Sequence, residues 1–133
     1  MADDSWLPGS GPGADAFERA FRVRPELYEG YCTFRDAVAR ESGLDEQVLA
    51  RCAARVSWLL GAEEVEPVAA SDSERAVFVF VDKFVRDPHG VTDGDIEALW
   101  ATLSVPQVVG LTEALALLDG FTRFRLILGA AQE

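Results

Sequence analysis

Three side chains in this sequence could support thiol or metal chemistry: Cys32, Cys52 and His89. A structural zinc site takes four nitrogen or sulfur ligands, and a thiol peroxidase needs an attacking cysteine close to a resolving one. The two cysteines are far apart in the sequence, and His89 is the only histidine. We therefore expect no metal, no cofactor and no disulfide redox site, and we predict that both cysteines pack as small core hydrophobes.

A second group of reactive side chains is the acidic cluster of Glu63, Glu64 and Glu66. Closely spaced carboxylates raise one another's pKa, so that one of them can serve as a general acid or base. These glutamates are the candidate catalytic residues, and the alternative is a solvated acidic loop. Trp58 and Arg123 are candidate ligand-binding residues of a pocket between helices, and the alternative is a core aromatic and a surface cation.

The overall composition limits the partners of the protein. The chain has 133 residues, of which 49% are hydrophobic, and this supplies enough apolar material for one core. Its formal net charge of -11 repels phosphate backbones and anionic membranes, so we expect neither nucleic acid nor a membrane as partner. The first residues lack the basic and apolar regions of a signal peptide, and the expected location is the cytoplasm.

Apolar periodicity and capping residues predict an all-α protein of about six helices. Residues 1–13, which are rich in glycine and proline, are predicted to form a flexible tail, and residues 14–133 a single helical domain. Gly43 and Gly61 are predicted to end the second and third helices. The six helices are predicted to start at or next to Ala14, Pro25, Asp45, Ser71, Thr92 and Ser104.

Two segments conflict with simple helix propensity. The run from Ala76 to Val81 is rich in residue types that favour strands. Because Val77, Val81 and Phe84 continue a helical spacing, we predict a helix that is buried on most of its surface. Two glycines, Gly110 and Gly120, interrupt the last helix, and close packing against another helix would explain both.

Several short stretches, taken in order, resemble the carboxymuconolactone decarboxylase and alkylhydroperoxidase-like family. They cover roughly residues 20–130. The stretches are Arg24-Pro-Glu-Leu27, Gly43-Leu-Asp45, Arg55-Val-x-Trp-Leu-x-Gly61, Ser73-Glu-Arg-Ala76, Asp87-Pro-His-Gly-Val-Thr-Asp93, Val108-Val-x-Leu-Thr112 and Arg123-Phe-x-x-x-Leu-Gly129. The resemblance implies an all-α fold whose members commonly assemble as trimers or hexamers.

The resemblance also assigns the positions of a peroxidase site. Peroxidase-type members carry a glutamate on the third helix, then a Cys-x-x-Cys pair, and a histidine one turn later. In this sequence the glutamate position falls on Ala50, the cysteine positions on Ala62 and Val65, and the histidine position near Ala69. The chain thus resembles a shortened member that lacks the cysteine site, with about two helices deleted after the third helix.

Two functions follow as hypotheses. The leading one is a small-molecule-binding or accessory protein that works as an oligomer, with a second copy or a full-length relative as partner and a small organic ligand. The physical reason for this hypothesis is the deletion, which would uncover apolar surface on the third and fourth helices and so favour contact with another chain. The alternative is a cofactor-free decarboxylase, lyase or isomerase on a small organic acid, with a glutamate as acid or base and Arg123 holding a carboxylate. Thiol peroxidase activity is not expected.

Overall fold

The computed structural model describes residues 11–129, and this part of the chain is helical, without a strand. The predicted all-α class is confirmed, and the strand-rich run at residues 76–81 lies inside the fourth helix. The predicted tail, residues 1–13, lies for the most part outside the described residues. The elements are α1 (Ala16–Phe21), α2 (Pro25–Glu41), α3 (Glu46–Leu59), α4 (Asp72–Arg86), a 3₁₀ turn (Pro88–Gly90), α5 (Asp93–Trp100) and α6 (Val105–Ile127).

The helix ends follow local capping chemistry. Thr92 and Ser104 form full capping boxes, in which each hydroxyl accepts from the third residue of the helix and that residue's side chain accepts from the cap. Gly43 and Gly61 adopt the left-handed conformation, with φ of +77° and +80°, just beyond α2 and α3. Short-range signals were therefore sufficient to place these boundaries.

The main core lies between α3, α4, α5 and α6. Its six largest fully buried side chains come from all four of these helices, and they are Val56, Cys52, Val81, Leu99, Leu111 and Leu115. Helix α4 also buries Val77, Phe78 and Phe80, so it is a helix with a buried apolar face, as predicted. The prediction that most of its surface is buried is wrong, because Asp72, Ser73, Arg75, Val79 and Arg86 are exposed.

A second cluster, made of aromatic side chains, attaches α1 and α2 to α6. The Tyr31 and Phe121 ring centroids are 4.5 Å apart, and those of Phe21 and Phe124 are 4.9 Å apart. Phe17 completes the cluster with a ring that meets Phe124 edge-on at 5.6 Å. Such pairs add about 0.5–1.5 kcal/mol each beyond the area they bury, which stabilises a helix as short as α1.

Helix α2 buries only part of its apolar surface. Leu27 and Phe34 are 60% and 45% exposed. Tyr31 and Val38, which also lie seven residues apart, pack against α6. Because α2 meets its neighbours along one narrow edge, only one of its two apolar rows is covered.

Within residues 11–129, no single helix is both long and apolar enough to cross a membrane. Helices α5 and α6 meet that criterion only when taken together, and they are bent by 117° relative to each other.

The two glycines of α6 have different surroundings. A Cβ added at Gly110 would overlap the carbonyl oxygen of Ser42 and lie 2.8 Å from the Ser42 Cα. A Cβ added at Gly120 would meet nothing within 4 Å. Close packing is therefore confirmed at Gly110, where α6 touches the C-terminal cap of α2, but the same explanation is wrong for Gly120.

These surroundings predict opposite effects of alanine at the two positions. Gly110→Ala should lower the free energy of unfolding by about 1–3 kcal/mol, because the new methyl group is forced against main chain that cannot rotate away. Gly120→Ala should raise it by about 0.5–1 kcal/mol, since alanine loses less entropy than glycine in an open helix position. Urea unfolding followed by circular dichroism measures both changes. Equal stabilisation by both substitutions would contradict the contact between Gly110 and Ser42.

Candidate functional site

The surroundings of the site are fixed by Arg55 of α3, whose side chain is only 11% exposed. Its guanidinium donates hydrogen bonds of 2.8 and 2.7 Å to the two carboxylate oxygens of Asp82 on α4. It also donates to Glu66 at 2.7 Å and to the carbonyl oxygen of Pro67 at 3.0 Å. These bonds, chiefly those to Asp82, raise the pKa of Arg55 above its usual value and keep the side chain charged.

Glu66 and Pro67 belong to the segment of residues 62–70 between α3 and α4, which we call the connector. Arg51, one helical turn before Arg55, holds the end of the connector that leads into α4. Its guanidinium donates to the Val68 carbonyl oxygen at 2.7 Å and forms a two-pronged ion pair with Glu74, at 3.0 and 2.7 Å. The hydrogen bond from Arg51 lowers the pKa of Glu74. Glu74 also accepts from the backbone N–H of Ala70, rather than from Ser71 as a full capping box would require. The capping box of Ser71 and Glu74 at the start of α4 is therefore only half formed.

The three glutamates of the acidic cluster have three different surroundings. Glu66 is held by Arg55, and Glu64 is exposed to solvent. Glu63 is also exposed, but it lines a pocket at the start of the connector. The structure therefore brings one of the three candidate catalytic carboxylates to a cavity, and their catalytic role stays a prediction.

This cavity, which we call the polar pocket, has a volume of about 240 Å³ and lies between the start of α1 and the C-terminal ends of α3 and α6. Arg125 supplies its positive charge, and the Arg125 guanidinium carbon lies 3.9 Å from the centre of the Phe17 ring. The lining consists of two carboxylates, two hydroxyls, one guanidinium and two apolar side chains. These residues are Asp15, Phe17, Ser57, Ala62, Glu63, Thr122 and Arg125.

The polar groups of this pocket differ in how many of their hydrogen bonds are already formed within the protein. Asp15 caps α1 by accepting from the Glu18 N–H at 2.8 Å, so its carboxylate is committed to the helix. Thr122 is buried, with 8% of its surface exposed. Arg125 and Glu63 thus offer a cation and a carboxylate at one opening, which suits a small polar molecule with both an acidic and a hydrogen-donating group.

The predicted ligand-binding pair, Trp58 and Arg123, does not line this pocket. The Trp58 ring packs against the core and lies beneath the guanidinium groups of Arg55 and Arg86, at 4.6 and 5.9 Å. The Arg123 side chain is 47% exposed and pairs with Asp119, one turn earlier on α6. Each residue thus occupies the alternative surroundings that the sequence left open, and a role in ligand binding remains a prediction.

Sequence reasoning did not find Arg125. It stands two residues after Arg123, and two residues on an α-helix turn the side chain by about 200°, to the opposite face. The signal that could have found it is the position of Phe17 and Phe21 in the sequence, since a helix that packs these rings against Phe121 and Phe124 brings Arg125 over Phe17.

The positions that the resemblance assigns to a peroxidase site lie in four different surroundings. Ala62 lines the polar pocket, whereas Ala50 lines a separate groove between α2, α3 and α6. Val65 is 80% exposed, and Ala69 packs against the main core. These four positions therefore do not meet at one cavity in this structure.

The two cysteines lie apart from the polar pocket. Cys52 is fully buried in the main core, as predicted, and burial raises its pKa to about 12. The same prediction is wrong for Cys32 on α2, a free thiol that is only partly buried and belongs to none of the core clusters, because it lies on a side of α2 that its neighbours do not cover. His89 is exposed in the 3₁₀ turn, and residues 11–129 hold no group of three or more His, Cys, Asp or Glu side chains that could bind a metal ion.

Comparison with known proteins supports the fold. No model of a known protein family matches the sequence, and no curated protein matches it significantly. The chain is similar to a crystal structure of an Agrobacterium tumefaciens protein of unknown function, described as a candidate antioxidant defence protein AhpD. The TM-score is 0.66, with 20% sequence identity over 80% of this chain and 90% of that chain. At this identity the likeness shows a shared helical fold.

The burial of Cys52 predicts that it does not react in the folded protein. At about pH 8, iodoacetamide should alkylate Cys32 readily, whereas Cys52 should react only after unfolding, because the thiolate is the reactive form. Mass spectrometry of tryptic peptides measures the two rates in one sample, and Cys32 serves as the internal control. Alkylation of both cysteines at similar rates in the native protein would contradict this assignment.

Proposed function

We propose that this chain is an alkylhydroperoxidase-like protein without the cysteine peroxidase site, which binds a small organic acid and works as an oligomer. The helical fold and the likeness to a candidate AhpD protein support the family. The buried Cys52 and the alanine and valine at the two assigned cysteine positions argue against thiol chemistry. Binding, rather than peroxide reduction, is the activity that the remaining side chains can perform.

The polar pocket is the observation that carries the proposal. It opens beside Ala62, the residue in place of the first cysteine, and it combines Arg125 with Glu63 and two hydroxyls. A guanidinium forms paired hydrogen bonds with a carboxylate, so the acid group of the ligand is placed at Arg125. Glu63, Ser57 and Thr122 then face the rest of the ligand, where they favour hydroxyl or amino substituents.

The proposed oligomer uses the groove between α2, α3 and α6. This groove has a volume of about 300 Å³, and its surface is almost entirely apolar. Its lining residues are Arg35, Val38, Ala39, Glu46, Leu49, Ala50, Ala114, Leu117 and Leu118. Arg35 and Glu46 provide opposite charges at the groove, so a two-fold arrangement can pair Arg35 with Glu46 of the partner subunit twice. A full-length relative with the same fold is the second partner to test.

The deletion gives weaker support to the oligomer than the groove does. The sequence hypothesis expected apolar surface to be uncovered on the third and fourth helices. Among the large apolar residues of α3 and α4, only Val79 is exposed, because the others pack in the main core with α5 and α6. The other exposed large apolar residues lie on α2, the connector and α6, together with Val23 before α2 and Trp100 at the end of α5.

The enzyme hypothesis keeps one supporting observation, the position of Glu63 in the polar pocket. A decarboxylase, lyase or isomerase on a small acid could use Glu63 as acid or base while Arg125 holds the carboxylate. The exposure of Glu63 weakens this role, because general acids and bases are usually tuned by burial. A bound acid that is consumed by the protein, and is no longer consumed by Glu63→Gln, would assign the protein to this class.

The ligand proposal is tested with two neighbouring arginine variants. Acetate, lactate and benzoate are titrated into labelled protein, and amide shifts of Ser57, Ala62 and Glu63 report occupancy of the polar pocket. Arg125→Gln should weaken binding at least tenfold, because it removes the charge that faces the carboxylate. Arg123→Gln is the matched control, since it removes the same charge outside the pocket and should change the affinity less than twofold.

Either of two results would overturn this proposal. One is equal weakening by both variants, which would indicate a general charge effect. The other is the absence of shifts at the three pocket residues for all three acids. A stronger effect of Arg123→Gln would restore the site that the sequence alone predicted.

The oligomer proposal predicts a concentration-dependent mass above that of the 14.5 kDa monomer at micromolar concentration. Ala50→Glu should shift the protein towards the monomer, because it places a charge in an apolar interface. Ala101→Glu is the control, as Ala101 is exposed and lies outside the groove. Light scattering measures the mass, and a wild-type protein that is monomeric throughout would contradict self-association.

A further inference from the structure

A second pocket, of about 320 Å³, lies at the opposite end of the connector from the polar pocket. It is bounded by the middle of α3, the first turns of α4 and the loop between α5 and α6. Its lining residues are Val48, Arg51, Cys52, Ser71, Ser73, Glu74, Val77, Phe78, Thr102 and Leu103. None of them lines the polar pocket, so the two cavities are separate.

The floor of this second pocket is apolar and belongs to the main core. Cys52, Val77 and Phe78 are 0%, 7% and 4% exposed, and Val48 and Leu103 pack against the same cluster. A floor made of well-packed core side chains keeps its shape when the pocket is empty. An apolar ligand can therefore bind without the cost of ordering a flexible site.

The rim of the second pocket is polar but electrically balanced. Arg51 and Glu74 neutralise each other through their two-pronged ion pair, and Arg51 is further committed to the Val68 carbonyl oxygen. The hydroxyls of Ser73 and Thr102, at the rim, form no hydrogen bond within the described part of the chain. The rim thus offers hydroxyl groups but no unpaired charge.

We propose that the second pocket binds a neutral aromatic molecule of about two rings that carries one hydroxyl or carbonyl group. The rings lie on the floor of Val77 and Phe78, and the polar group meets Ser73 or Thr102 at the rim. Benzene fits an apolar cavity of about 150 Å³, so a pocket of roughly twice that volume accommodates two fused rings. A charged ligand is disfavoured, because the Arg51 and Glu74 charges are already paired and the floor cannot solvate an ion.

This inference goes beyond the proposed function, because it assigns a second site with a different ligand class. The two proposals can fail independently. A carboxylate ligand that depends on Arg125 reports on the polar pocket, whereas a neutral ligand that depends on Thr102 reports on the second pocket.

The test uses 2-naphthol as the probe and 2-naphthoate as its charged counterpart. Titration of 2-naphthol into labelled full-length protein should shift the amides of Val48, Ser73, Val77 and Leu103, with a dissociation constant on the order of 0.1–1 mM for a fragment of this size. At the same residues, 2-naphthoate should bind at least tenfold more weakly. Equal affinity of both probes at these residues would overturn the assignment of a neutral ligand.

Two rim variants test the location. Thr102→Trp and Ser73→Trp fill the mouth of the pocket from opposite sides, and each should weaken 2-naphthol binding at least tenfold. Ala101→Trp is the control, because Ala101 is exposed, adjacent to Thr102 and absent from the lining, and its affinity should stay within twofold of the wild type. Circular dichroism verifies that each variant is folded. Unchanged binding in a folded Thr102→Trp or Ser73→Trp variant, or shifts confined to other residues, would overturn the proposal.

Discussion

A guanidinium group that is almost withdrawn from water must be surrounded by acceptors, and Arg55 meets this requirement with two carboxylates and a backbone carbonyl. Asp82 binds it from α4, while Glu66 and the Pro67 carbonyl oxygen bind it from the connector. Because the carboxylates of Asp82 and Glu66 are 34% and 47% exposed, water screens these ion pairs, and losing one partner costs less than the roughly 3–5 kcal/mol typical of a fully buried pair. The packing of α3 against α4 and the path of the connector therefore depend on the same side chain.

The position of the connector in turn defines both cavities. Its first residues, Ala62 and Glu63, form part of the polar pocket, and the second pocket begins where the connector ends, at Ser71. Arg51 fixes this second end through the Val68 carbonyl oxygen and Glu74. A short segment held by two arginines thus links α3 to α4, and a cavity lies at each of its ends.

The helices could be predicted from the sequence because their signals are local. Caps such as Thr92 and Ser104 act within one turn, and the spacing of apolar residues in α4 outweighs its strand-forming composition. The candidate site could be predicted only in part, because it depends on contacts between distant segments. Glu63 reaches a pocket but Arg123 does not, and the choice between Arg123 and Arg125 is decided by the position of α1. The contrast between Gly110 and Gly120 has the same cause, since only the position of Ser42 distinguishes them.

The two arginines hold the connector partly through the carbonyl oxygens of residues 67 and 68, and every amino acid supplies such an oxygen. Substitutions at residues 62–65 leave these main-chain bonds, as well as the bond to Glu66, in place. The residues that fix the path of the connector are therefore different from those that set the chemistry at the mouth of the polar pocket. Such a separation gives the chain evolutionary latitude, in which the ligand preference can change by single substitutions while the stability of the fold is preserved.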